Sequence, residues 1–285
     1  MSAFETCSKL AAYLVCVGLA LEFSHRLYWS LNKRISSLEI STFSRSVLGI
    51  SAACIPLATA IGITAAFVTL VDKQSMSSLG LSYDGHSLTR VAFGAALALG
   101  CLTVVFLIGI LLGFIEVRRS QISEDCVSCM PIFLGGLIDF LTASVFEEII
   151  FRGYIFYLLN MAAGAEIAIA ASSLIFAIAH VVKHPQVPVL YALNAVLFGV
   201  LAATCRHFTG NLWLPIGLHF GWNVVSGPLF GLPFSGRNYD RGVVVSEVSG
   251  PDWLTGGLYS LDAGVLGTLA LAIAAAGVVV ITPMH

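Results

Sequence analysis

Charge is scarce in this sequence. Only 11% of its 285 residues are charged, against 58% that are hydrophobic, whereas an ordinary soluble domain carries about 25% charged residues. So few charges cannot cover a water-facing surface, and a soluble enzyme is excluded. A disordered chain is excluded too, because disorder needs many charges and few apolar residues. A surplus of positive charge is also missing: the net charge is −2, which leaves no basic footprint, so no nucleic-acid partner is expected. The polar–apolar alternation of membrane barrel strands is absent as well. The seven cysteines are scattered, mostly within apolar runs, and read as small buried hydrophobes. Cys126 and Cys129 are close in sequence, but no second pair completes a zinc site, so they read as an incidental loop pair.

What the chain does have is long apolar runs. A helix needs about 20 such residues to cross a bilayer. By that criterion the sequence predicts an all-α polytopic membrane protein of about eight transmembrane helices. They are expected near 8–30, 46–71, 91–115, 137–159, 165–182, 187–207, 211–231 and 261–282. The stretches 31–45, 72–90, 116–130 and 232–260 read as loops, the last rich in turn signals such as Gly256-Gly257 and carrying Tyr239, Arg241 and Trp253. No repeat or inter-domain linker interrupts the pattern, so residues 1–285 are expected to form one membrane domain. Lys and Arg fall unevenly between the two sets of loops: nine (Arg26, Lys33, Arg34, Arg45, Arg118, Arg119, Lys183, Arg237 and Arg241) against four (Lys9, Lys73, Arg90 and Arg206). The richer side is expected to be cytoplasmic, with both termini outside.

A charge inside a bilayer costs a few kcal/mol even on the mildest scale, so the exceptions are informative. The fourth segment contains Asp139, Glu147, Glu148 and Arg152; the fifth contains His180; the seventh contains His219 and Asn223. Glu22, His25 and Arg26 lie near the end of the first segment and are expected to reach the interface. Glu148 and Arg152 stand at i and i+4 with the acid first, the favourable order for a helical ion pair. Glu147 is rotated about 100° from Glu148 and is therefore available to a different partner. His219 and Asn223 share a helix face. A single polar residue of this kind most often joins helices together, but a set of them on three segments of a chain otherwise stripped of polar groups points to chemistry. A carboxylate removed from water suits general-base activation of water, and a histidine with an amide can stabilise an oxyanion. Two histidines and a glutamate are also a zinc donor set.

These residues stand in three motifs: Glu147-Glu148-Ile149-Ile150-Phe151-Arg152, Phe176-Ala177-Ile178-Ala179-His180, and His219-Phe220-Gly221-Trp222-Asn223. Their order and spacing resemble the signature of the CAAX prenyl protease and bacteriocin-processing (CPBP, ABI) family of intramembrane proteases. The resemblance covers residues 130–230; helices 1–3 over 8–115 and the last helix at 261–282 lie outside it. It implies an endopeptidase with its active site in a cavity between helices 4, 5 and 7. The substrate it implies is a membrane-associated protein or peptide. In that reading Glu147 and His180 activate water, His219 and Asn223 hold the oxyanion, and Glu148 and Arg152 support the site. A metal-free glutamate mechanism is favoured, with no cofactor; the alternative is zinc on Glu147, His180 and His219. A plasma-membrane location with the site open to the cytoplasmic side is expected.

Other classes meet the sequence less well. No His-Glu pair exists for a zinc metalloprotease of the His-Glu-x-x-His type, and no Gly-x-Gly-Asp turn for an aspartyl intramembrane protease. Gly85-His86-Ser87 has the spacing of a rhomboid nucleophile but falls in a polar stretch. A transporter would show paired repeats, which are lacking. A non-catalytic immunity factor remains as the other alternative.

Overall fold

The computed structural model describes residues 2–119, 126–183, 186–233, 238–239, 242–259 and 261–281. Arg237 and Arg241 of the charge count lie outside them. The chain is mainly helical. Helix α1 spans Ala3–Ser36, α2 Thr42–Ala66 (continued by a π-helical turn, Phe67–Val71), and α3 Ser87–Leu111. Helix α4 spans Cys126–Glu148 and runs through a π-helical segment, Ile149–Ile155, into α5, Phe156–Ala163. Helices α6 (Ala165–Lys183), α7 (Val189–Thr209) and α8 (Trp213–Val224, with a π turn Val225–Leu229) follow. After the short α9, Asp252–Thr255, the chain closes with α10, Val265–Ile281.

Five helices among the described residues are long and apolar enough to cross a membrane: Ala3–Ser36, Val47–Val71, Ser87–Leu111, Ala165–Val182 and Val189–Thr209. The outer faces are apolar. Val15, Leu19 and Phe23 make an exposed stripe along α1 at four-residue spacing, a face suited to lipid and not to water. The protein is an integral membrane protein.

Three expectations need correction. The fold is mainly helical as expected, but Ile115–Arg119 (β1) and Val244–Val248 (β2), both read as loop, pair as an antiparallel ribbon. Residues 126–129 open α4 and are not a loop. Helix α1 extends to Ser36, so Glu22 and Arg26 lie well inside it and not near its end; they are exposed and neutralise each other at 2.7 Å. Ser87 is no nucleophile candidate either. It is buried at the start of α3, where its hydroxyl donates to Asp84 Oδ1 and accepts from the Asp84 N–H.

Two features position the centre of the molecule. Helices α3 and α8 cross with their backbones almost touching. A Cβ on Gly217 would come 2.1 Å from the Val91 carbonyl oxygen, and one on Gly221 would come 2.7 Å from Ala95 Cα. Small residues four apart let membrane helices pack this closely, and here they flank His219. At the other end, Asp72 receives hydrogen bonds from Lys9 Nζ (2.9 Å) and Tyr154 OH (2.8 Å). This ties α1 to the π-helical segment that follows the two glutamates.

Candidate active site

The Glu147-Glu148 pair ends α4, and the next seven residues are wound as a π-helix. Such insertions inside helices recur at functional sites because they re-aim side chains. Glu148 and Arg152 point inward and are fully buried, joined Nη1 to Oε1 at 2.9 Å. Glu147 turns elsewhere, into a cavity of about 200 Å³. The rotation expected from an α-helix is thus kept where it matters.

Glu148 Oε1 also meets His219 Nδ1 at 2.8 Å. An ionised carboxylate only accepts hydrogen bonds, so Nδ1 carries the proton. His180 Nδ1 lies 2.9 Å from the Phe176 carbonyl oxygen, one turn earlier on α6, and must likewise donate. Both histidines therefore present Nε2 to Glu147: His180 Nε2 is 3.6 Å and His219 Nε2 3.7 Å from Glu147 Oε2. These separations exceed a direct hydrogen bond and leave no room for a water on the line between the atoms, so a water that touches both must lie to the side, in the cavity. The Phe176 ring anchors the arrangement, lying 4.2 Å from the Arg152 guanidinium carbon and packing on the His180 ring. Buried between carboxylate and ring face, Arg152 gains ion-pair and cation–π stabilisation together.

Asn223 lines the cavity one turn beyond His219, and its Nδ2 makes a long 3.4 Å contact to Ser144 Oγ on α4. The motif residues therefore meet: Glu147, His180, His219 and Asn223 all face the one cavity, and Glu148 and Arg152 lie behind it. Asp139, on the same helix as Glu147, does not join them. It lines a second cavity with His25 and Tyr28, on the side facing α1 and α2.

Several cavity residues carry no signal in the three motifs. Tyr191, Asn194 and Asp262 complete the wall together with Phe140 and Phe198, and Ser144 contacts Asn223. Asp262 could have been noticed as a lone acid opening the last apolar run, but nothing in the sequence says which cavity it reaches.

The two Nε2 atoms and the Glu147 carboxylate have the donor chemistry of a zinc set, with Glu148 as the outer partner of His219. Among the described residues, no group of three His, Cys, Asp or Glu side chains stands ready to hold a metal ion.

Residues 130–225 match the family model described as Rce1-like, Type II CAAX prenyl endopeptidase Rce1-like. Comparison with curated proteins finds no match. The matched span contains Glu147, Glu148, Arg152, His180, His219 and Asn223, and it excludes α1–α3 and Asp262. The segment that carries Glu147, His180, His219 and Asn223 is thus similar to the Rce1-like type II CAAX prenyl endopeptidases.

Proposed function

We propose that the protein is an intramembrane endopeptidase of CAAX-protease type that crosses the bilayer about eight times. It hydrolyses a peptide bond of a membrane-associated protein or peptide, using water activated by Glu147. The observation that carries this reading is the convergence of Glu147, His180, His219 and Asn223, from three separate helical stretches, on one cavity. The unequal loop charges favour entry from the cytoplasmic face of the plasma membrane.

In this mechanism a water in the cavity lies to one side of Glu147 Oε2 and His180 Nε2, which stand 3.6 Å apart, and hydrogen-bonds to both. Glu147 takes a proton as the water oxygen attacks the scissile carbonyl. The oxyanion is met by Asn223 Nδ2 and by His219 Nε2, which requires a proton on that nitrogen. With Nδ1 already donating to Glu148, His219 then acts as an imidazolium. Collapse of the intermediate breaks the C–N bond, and the proton held by Glu147 passes to the leaving amine.

The test is cleavage of S-farnesylated CAAX peptides and of leader peptides by purified protein, beside Glu147→Ala and His180→Ala. Both variants are expected to be inactive, and normal cleavage by both sinks the assignment. Full activity after exhaustive chelation, with no zinc by elemental analysis, supports the glutamate route; loss restored by zinc alone assigns Glu147, His180 and His219 as metal ligands instead. Absence of any peptidase activity favours a non-proteolytic membrane immunity or transport role.

A further inference from the structure

Asp262 takes no part in the mechanism above and lies outside the matched segment. Yet it lines the same cavity as Glu147, His180, His219 and Asn223. It sits in a tight turn, Leu261–Ala263, just before α10, and that turn is held from two sides. Trp222 Nε1 donates to Asp262 Oδ1 at 2.7 Å. Asn194 Nδ2 donates to the backbone oxygens of Asp262 (2.8 Å) and Gly264 (3.0 Å). Thr268 Oγ1 donates to Asn194 Oδ1 at 2.8 Å and so fixes which way the amide faces. The Asn194 bonds fix the backbone of the turn, and the carboxylate cannot swing out of the cavity without breaking its bond to Trp222.

The two inner glutamates and Asp262 are served differently. Glu148 is met by Arg152 and His219, and Glu147 faces two histidines. Among the described residues, the Asp262 carboxylate receives one hydrogen bond, on Oδ1, and pairs with no Lys or Arg. An ionised carboxylate inside an apolar bundle carries a large desolvation cost unless opposite charge or several donors meet it. One indole N–H offsets only part of that cost. Asp262 lines the cavity together with His180, His219 and Tyr191, and its other oxygen receives no hydrogen bond among the described residues.

We propose that Asp262 is a specificity-determining residue that binds a basic side chain, lysine or arginine, of a peptide whose scissile bond lies at Glu147. This deepens the protease reading and rests on it, since it takes the occupant of the cavity to be a peptide. It also sets this cavity against acidic substrates, because a second negative charge beside Asp262 has no counterion in the turn.

Binding separates this idea from catalysis. Fluorescein-labelled S-farnesyl-Cys-Ala-Ala-Ala amide and its three single-lysine and three single-glutamate variants are titrated against the Glu147→Gln protein in detergent micelles, with affinity read by fluorescence anisotropy. At least one lysine peptide is expected to bind about tenfold more tightly than the alanine peptide, and glutamate at that position more weakly. Adding Asp262→Asn, which keeps an acceptor for Trp222, should bring the lysine-to-alanine ratio close to one, and Asp262→Glu should restore it. Equal binding of all peptides, or a lysine preference that survives Asp262→Asn, overturns the proposal. A preference that depends on Asp262 in a protein that cleaves nothing upholds the recognition site and refutes the protease reading.

Discussion

His219 Nδ1 lies 2.8 Å from Glu148 Oε1, the same oxygen that receives Arg152 Nη1 at 2.9 Å. One carboxylate oxygen therefore orients the imidazole and neutralises the guanidinium, and all three groups are buried. Removing one member of a buried charge pair costs about 3–5 kcal/mol, because the partner is left uncompensated. Glu148→Ala is thus expected to lower stability by that amount and to abolish activity. Glu148→Gln combined with Arg152→Met, which removes both charges, should recover most of the stability and none of the activity. Unfolding in mixed detergent–SDS micelles reads the first effect and peptide cleavage the second. Unchanged stability in Glu148→Ala contradicts the pairing.

Asn223 is assigned to the oxyanion, not to packing. Asn223→Ala should lower kcat about 10²–10³-fold, the range for removing one oxyanion donor, with little change in KM or in thermal unfolding. Its contact to Ser144 is long, so Ser144→Ala should cost far less. A raised KM with normal kcat in Asn223→Ala would place the amide in substrate binding.

The α3–α8 crossing leaves no space for a methyl group at Gly217. Gly217→Ala should destabilise by about 1–3 kcal/mol, the range for overpacking. By shifting α8 it should also reduce kcat through His219, two residues away. A variant as stable and as active as the parent shows that the helices can separate freely. By contrast, a Cβ at the exposed Gly18 meets nothing within 4 Å, and Gly18→Ala serves as the matched control.

Outside the membrane-spanning helices, Asp84 lies just before α3 and accepts from the His86 N–H, the Ser87 hydroxyl and Arg90. The hydrogen bond from Arg90, helped by His86 N–H and the Ser87 hydroxyl, draws its carboxyl down from 3.8 to about 2. A lowered carboxyl value stabilises the fold above the ordinary value, and that contribution disappears as pH falls from about 4 through about 2. Hydrogen exchange in the first turn of α3 should therefore lose protection across that window. Asp84→Asn should be less protected at neutral pH and nearly insensitive to acid. Because the pair is exposed, added salt should weaken the difference.

How far the sequence went can be judged from single residues. The ion pair of Glu148 with Arg152 follows from helical spacing alone, since residues four apart share a face, and it persists although the intervening turn is π-helical. The π segment itself was not legible, because Ile149–Ile155 has no composition that separates it from an α-helix. The β1–β2 ribbon was missed for a similar reason. Two five-residue stretches about 130 positions apart give no local sign that they pair, and only their register in space makes them strands.

The sequence by itself determined the solvent and the suspects. Eleven per cent charge commits the chain to lipid, and the penalty lipid places on charge makes Glu147, Glu148, Arg152, His180 and His219 conspicuous wherever they fold. Tertiary structure alone decided which of them meet, and which do not: Glu147 faces His180 and His219, while Asp139 belongs to another cavity. It also brought in Asp262, more than one hundred residues from Glu147. Helical periodicity fixes direction only within a helix. The crossing of α3 with α8 and the turn before α10 depend on long-range packing, which no local pattern encodes.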